Sequence, residues 1–354
     1  MSQSKFPCAL LFNDIHVSKD NIPEFQKNWD EAIKICQERD IADIIIGGDL
    51  WQSRSAQTLD TLLAVRDAII KAQNANIHLT IAEGNHDLVD QEALLGYSHI
   101  FQGYKDVDIV GDYTIIDFTD NLSLYVMSYF PENGSFSQRL KDIVASDDFD
   151  TQRTNILYIH QGIRGGLSQP SEDELPTSIF KDFDAVLVGH YHDRKKIAGT
   201  AIEYIGSSRQ HNFGEDEEKG YTVLYDDGSY EFVKNEVNIR YKNIAVEFSE
   251  IDSKLMKELG EVKKDARYKT KVKVNCFSDE ATSVDKQKLI DAGATKVEII
   301  TEQTEVVEIE ARSLEQKFDK SGIKEEYTNF CSEKEIDNTM GLQYLDKINL
   351  LCGD

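Results

Sequence analysis

Five short clusters of metal-ligating side chains stand where apolar, β-prone runs stop, and this placement constrains the fold more than any other feature. Asp14-Ile15-His16 follows Ala9-Leu10-Leu11-Phe12, Gly48-Asp49 follows Ile44-Ile45-Ile46, and Gly84-Asn85-His86-Asp87 follows Leu79-Thr80-Ile81. His160 closes Ile156-Leu157-Tyr158-Ile159, and Gly189-His190-Tyr191-His192 follows Ala185-Val186-Leu187-Val188. Strand ends on a shared edge are where α/β proteins gather their chemistry. A single Asp-x-His is ordinary turn chemistry. Five of the chain's eight histidines (16, 86, 160, 190 and 192) fall in these clusters, however, which points to a ligand set.

Strand and helix signals alternate between the clusters. Phe25, Trp29, Ile33 and Cys36 recur at helical spacing after the first cluster, and Leu59, Leu62, Leu63, Val65, Ile69 and Ile70 after the second. Short alternating runs at 113–118, 122–127, 221–225 and 230–233 predict hairpins, with Asp226-Asp227-Gly228 as a turn. The expected class is α/β, a two-layered β-sheet core flanked by helices. Beyond residue 238 a smaller α+β unit is expected over 239–303, with strands at 244–248, 268–274 and 296–300 and helices at 252–260 and 284–291. Residues 304–354 read as an acidic linker and a helical tail, in which Met340, Tyr344, Leu345, Ile348 and Leu351 make one apolar stripe suited to docking on a partner.

No apolar run approaches the roughly 20 residues of a membrane span, and the N-terminus lacks a signal pattern. The five cysteines form no C-x-x-C pair, which suits packed thiols in a reducing cytoplasm. The net charge of −25 weighs against broad phosphate contact. Residues 241–300 nevertheless hold 12 Lys and Arg against 11 Asp and Glu, so the acidity lies elsewhere in the chain.

Two divalent ions held close together need a bridging ligand, and the Asp49 carboxylate is the candidate. Imidazole and carboxylate donors suit Mn, Fe or Zn, and no cysteine joins the set. Asn85 adds a neutral oxygen. Two such ions about 3.5–4 Å apart can clamp a phosphate for in-line displacement, so the expected reaction is phosphoester hydrolysis.

The order D-x-H, G-D, G-N-H-D, H, G-H-x-H over residues 12–193 resembles the calcineurin-like metallophosphoesterase family. The resemblance implies that Asp14, His16, Asp49 and His192 hold one ion, and Asp49, Asn85, His160 and His190 the other. It implies that His86 faces the scissile phosphate as a catalytic residue, oriented through its other ring nitrogen by Asp87. Tyr204-Ile205-Gly206-Ser207-Ser208, Phe213-Gly214-Glu215, Lys219-Gly220-Tyr221 and His160-Gln161-Gly162-Ile163-Arg164 are similar to segments of SbcD-type nuclease subunits, and the modest length with an acidic linker before a short helical tail resembles those of bacteriophages. Val17-Ser18-Lys19, Trp51-Gln52 and Ser208 depart from that pattern without touching a ligand.

This narrower resemblance implies a Mn2+-dependent exonuclease and endonuclease acting on DNA in repair and recombination. The α+β unit becomes a capping domain, the partner an SbcC-type coiled-coil ATPase, and the assembly a homodimer within a heterotetramer in the cytoplasm, that of the host for a phage protein. A phosphatase or cyclic-nucleotide phosphodiesterase on the same core is the alternative enzyme, and a non-catalytic scaffold the alternative outside enzymes. Arg267, Lys269, Lys271 and Lys273 would share one face of a strand at intervals that can follow a phosphate backbone, or else protect an exposed edge. Arg54, Arg164, Arg194 and Arg209 lie near the metal motifs as further phosphate candidates.

Overall fold

A computed structural model describes residues 5–89, 95–131, 135–167, 174–302, 327–328, 330–332, 334 and 337–342. In chain order the elements are β1 (Pro7–Phe12), α1 (Ile22–Arg39), β2 (Asp43–Gly47), α2 (Leu59–Asn74), β3 (His78–Ala82), β4 (Val107–Val110), β5 (Tyr113–Thr119), β6 (Leu122–Met127) and α3 (Ser135–Val144). There follow β7 (Thr154–His160), β8 (Ala185–Gly189), β9 (Lys195–Lys196), β10 (Ile202–Tyr204), β11 (Gly220–Tyr225) and β12 (Tyr230–Lys234).

Two six-stranded sheets result, in the orders β12-β11-β1-β2-β3-β4 and β5-β6-β7-β8-β10-β9. β1 to β4 run parallel, as do β6, β7, β8 and β10, and the antiparallel hairpin strands lie toward the margins. The period of two places successive side chains in different layers. Ala9, Leu11 and Ile45 pack between the sheets with Leu124, Ile156 and Leu187. Leu10, Phe12, Ile44 and Ile46 face α1 and α2, while Leu157, Ile159 and Val188 face α3. Both expected layers of sheet and their helical cover are present.

Helix α1 buries Phe25, Trp29, Ala32 and Cys36, close to the expected stripe. In α2 the buried face is rotated: Ala64, Val65, Ala68, Ile69 and Ala72 pack inward, while Leu59 is 68% exposed. The indole of Trp29 explains the rotation, since its Nε1 donates to the Ala68 carbonyl at 2.8 Å and only a small-residue face admits it that closely. Cys8, Cys36 and Cys331 are free thiols, Cys276 is buried, and burial pushes Cys8 up to about 11 and Cys36 to about 12.

Strands β13 (Arg240–Glu247), β14 (Tyr268–Phe277) and β15 (Lys296–Glu302) form a separate sheet with β14 central, packed with α4 (Met256–Val262) and α5 (Lys286–Ala292). A π-helical turn over Ile251–Leu255 leads into α4. Contacts divide the chain into two units, Met1–Asn275 with Val284–Ile300, and Cys276–Ser283 with Thr301–Asp354. Met340 is 71% exposed in the second unit, and Tyr344, Leu345, Ile348 and Leu351 lie outside the described residues. Among the described residues no helix is long and apolar enough to cross a membrane.

Candidate metal centre

The five clusters meet at the carboxyl ends of β1, β2, β3, β7 and β8. Backbone bonds pair the first two loops: Asp14 N–H donates to Gly48 O at 3.1 Å, and Ile15 and His16 N–H to Asp49 O at 2.9 and 3.0 Å. Asp14, His16, Asp49 and His190 take positive φ values of 51°, 51°, 53° and 90°. Each such non-glycine residue costs on the order of 1–3 kcal/mol, and residues held this way gather at functional sites. Gly84 is needed for close approach, because a Cβ there would lie 2.2 Å from Asp49 Oδ1.

All seven predicted ligands converge. His16 Nε2 and His192 Nε2 lie 3.1 Å apart, each within 3.9 Å of Asp14 Oδ1. Asp49 Oδ2 is 3.6 Å from His16 Nε2 and 3.2 Å from His160 Nε2. His190 Nδ1 and Asn85 Oδ1 stand 3.1 Å apart. Donor atoms within 4.8 Å of one another define the groups Asp14-His16-His192 and Asp14-Asp49-His160. Only one oxygen of Asp49 faces both sides, since Oδ1 accepts the His86 N–H at 2.8 Å.

Cations fit this arrangement. Asp14 Oδ1 and His160 Nε2 are buried without a hydrogen-bond partner, a cost of about 1–3 kcal/mol each. Two imidazole nitrogens at 3.1 Å need a proton or a cation between their lone pairs. Burial lowers His16 and His190 to about 4, leaving neutral rings with lone pairs to offer. Burial also opposes charge on His160, but Asp49 and Asp14 carry it up to about 9; the field that holds a proton there attracts a cation. At Asp49 burial favours the neutral acid, and the attraction of His160, His16 and His86 outweighs it and brings the carboxyl down. Saturating divalent ion should therefore raise the unfolding free energy by about 2.7 kcal/mol at a hundredfold excess over Kd. Thermal melting with and without chelator measures this, and coincident curves would exclude binding.

Residues the sequence did not single out fix the ligand orientations. Asn13 Nδ2 donates to Asp14 Oδ2 and, at 3.2 Å, to Gly206 O, while Asn13 Oδ1 accepts from Tyr158 at 2.8 Å, which leaves Asp14 Oδ1 for the cluster. His160 Nδ1 is bonded to Gly47 O at 3.0 Å and His192 Nδ1 to Glu215 Oε1 at 2.9 Å, so both present Nε2. His211 bonds Asp14 O at 2.8 Å and packs against the rings of His16 and His192. Nothing local marks Asn13, Tyr158 or His211, because each acts on a residue supplied by another element.

Asp87 requires a correction. Its carboxylate accepts the N–H groups of Trp51 at 2.9 Å and Gly84 at 2.6 Å, whereas His86 Nδ1 bonds Gln52 O at 3.0 Å. Asp87 therefore acts on His86 through the Trp51-Gln52 main chain. Burial, together with Asp49 and Glu83, raises its carboxyl well above the usual range.

The basic strand alternates as expected, with Thr270, Val272 and Val274 buried beneath the cations. Two of its charges are neutralised: Arg267 pairs with Asp265 at 2.7 Å, and Lys271 with Glu298 at 2.8 Å. Lys269 lies 5.7 Å over the Tyr241 ring, and neither it nor Lys273 has a carboxylate partner among the described residues. β14 is central, so edge protection does not explain its lysines. Arg54 and Arg164 are exposed. Arg194 pairs with Glu203 at 2.7 Å, and Arg209, 5% exposed, donates to Ile15 O at 3.0 Å; both are structural.

A family model described as calcineurin-like phosphoesterase matches residues 9–194. Putative phosphoesterase 244L of Invertebrate iridescent virus 6 is 29% identical over 224 residues, 61% of this chain and 76% of that protein. The SbcD subunit of the nuclease SbcCD from Staphylococcus saprophyticus is 27% identical over 220 residues, 55% of this chain. The chain spans 57% of that relative's length. The solved structure of Pseudomonas putida nuclease MPE aligns with 18% identity and a TM-score of 0.26, over 54% of this chain and 65% of that one.

Proposed function

The chain belongs to the calcineurin-like phosphoesterase family, and from that premise we propose that it is the nuclease component of an SbcCD-like complex, hydrolysing DNA phosphodiesters as exonuclease and endonuclease with two Mn2+ ions. The observation that carries this reading is the convergence of Asp14, His16, Asp49, Asn85, His160, His190 and His192 beside the His86 ring, whose centroid is 4.9 Å from that of His16. Asp14, His16, Asp49 and His192 hold one ion in this proposal, and Asp49, Asn85, His160 and His190 the other. Bound divalent ions supply positive charge against the phosphate and activate water. His86 Nδ1 is occupied by the Gln52 carbonyl, which leaves Nε2 to carry a proton to the leaving oxygen.

Support for DNA as substrate comes from the SbcCD nuclease among the relatives and from the cations of β14. The α+β unit would be a capping domain, the partner an SbcC-type coiled-coil ATPase, and the assembly a homodimer within a heterotetramer, in a role in DNA repair and recombination. Lys269 and Lys273 are the two cations of the strand open to phosphate. Reversing both to Glu should weaken binding to linear DNA and flatten its salt dependence by about two phosphate contacts, a slope change of roughly 1.8. Unchanged affinity across a salt series would remove this strand from the interface.

The paired charges of Arg267 and Lys271 favour one second reading, hydrolysis of a small phosphoester. Assays with Mn2+ on linear double-stranded DNA, single-stranded DNA and an aryl phosphate separate the two, with His86→Ala as control. Cleavage of DNA that the variant loses supports the nuclease. Turnover of the aryl phosphate alone overturns it.

A further inference from the structure

His192 is held by one segment, Arg209 to Lys219, at both its ring and its main chain. Glu215 Oε1 accepts from the ring Nδ1 at 2.9 Å, and the fully buried Lys219 donates from Nζ to the His192 carbonyl at 2.6 Å. Glu215 Oε2 also accepts the His211 N–H at 3.0 Å, and His211 reaches back to the Asp14 carbonyl. The segment itself is fastened to the three-stranded sheet. Gln210, 2% exposed, donates from Nε2 to Glu215 O and to Tyr241 O, both at 2.8 Å, and accepts the Tyr241 N–H on Oε1 at 2.7 Å. Its amide thus engages β13 as a neighbouring strand would, while one of its hydrogens holds the residue that orients His192. The Phe213 and Tyr241 rings, 5.0 Å apart, and the Tyr268 hydroxyl on Glu217 at 2.8 Å secure the same junction.

We propose that Gln210 is a positioning residue that, through Glu215, sets the His192 imidazole, so that affinity for one ion depends on the seating of the three-stranded sheet. Gln210 makes no hydrogen bond to a metal ligand itself; within this segment Glu215 and Lys219 bond His192, and His211 bonds Asp14. This inference rests on the metal-binding reading above and not on the identity of the phosphoester. Ordinary packing would give a different signature, a lower melting temperature with ion affinity unchanged.

The test is calorimetric titration of the full chain with Mn2+, unmodified and as Glu215→Ala, Gln210→Ala and the double variant. Partners of metal-bound histidines affect affinity by about 10–100-fold. Glu215→Ala should weaken one of two binding steps by that amount, and Gln210→Ala should weaken the same step by about tenfold. Because the two residues act in series, the double variant should bind no more weakly than Glu215→Ala. If Gln210→Ala does not fold, Gln210→Glu takes its place, keeping the volume and an acceptor while losing both amide donors. Unchanged affinity in a folded Gln210 variant, or additive losses in the double variant, overturns the proposal and leaves the phosphoesterase reading standing. An unmodified chain that binds no Mn2+ overturns both.

Discussion

Asp49→Asn should abolish hydrolysis while leaving the chain folded. Asp49 Oδ1 accepts the His86 N–H, and an amide oxygen can keep that bond. The substitution then turns an NH2 toward His160 Nε2 and His16 Nε2, where the carboxylate had offered Oδ2 at 3.2 and 3.6 Å. Each half of the centre loses a negative ligand and gains a donor in its place. With the ions gone, several kcal/mol of transition-state stabilisation go with them, a rate loss of about a thousandfold or more. The backbone bonds from Ile15 and His16 to the Asp49 carbonyl are unaffected, so circular dichroism should not change. Melting curves of the variant should no longer respond to Mn2+. A variant that retained both its ions and its rate would show that Asp49 does not join the two halves.

The second large effect is expected at His86. Removing a positioned acid costs about 10²–10⁴ in rate. Alanine retains the N–H that Asp49 accepts, so metal affinity should hold while kcat falls and KM moves little. Calorimetry beside steady-state kinetics on the same preparation reads both. A fall in Mn2+ affinity together with rate would make His86 a ligand and exclude the proton role.

How much of the fold and the centre is legible in the chain differs from residue to residue. The layers can be read from period-two runs such as Ala9 to Phe12, whose alternate side chains do face different cores. The rotated face of α2 cannot, because Ala64, Ala68 and Ala72 carry little hydrophobic signal, and the Trp29 indole that bonds the Ala68 carbonyl comes from another helix. The cations of β14 are visible as a stripe, but their neutralisation by Asp265 and Glu298 depends on a turn and on a neighbouring strand. Adjacency along the chain pairs Asp87 with His86, whereas its buried carboxylate serves the main chain of two loops.

The sequence by itself determined which donors are present and that they stand at strand ends, because ligand chemistry and strand termination are local properties written in a few adjacent residues. Only the tertiary structure decided which atom of each ligand faces the cluster. Asp14 Oδ1 is left free because Asn13 and, behind it, Tyr158 occupy the other oxygen's side. His192 presents Nε2 because Glu215 takes Nδ1, and Glu215 is in turn held by Gln210 against β13. Those choices are made by directional hydrogen bonds between distant segments, and such bonds exist only once the chain has closed around them.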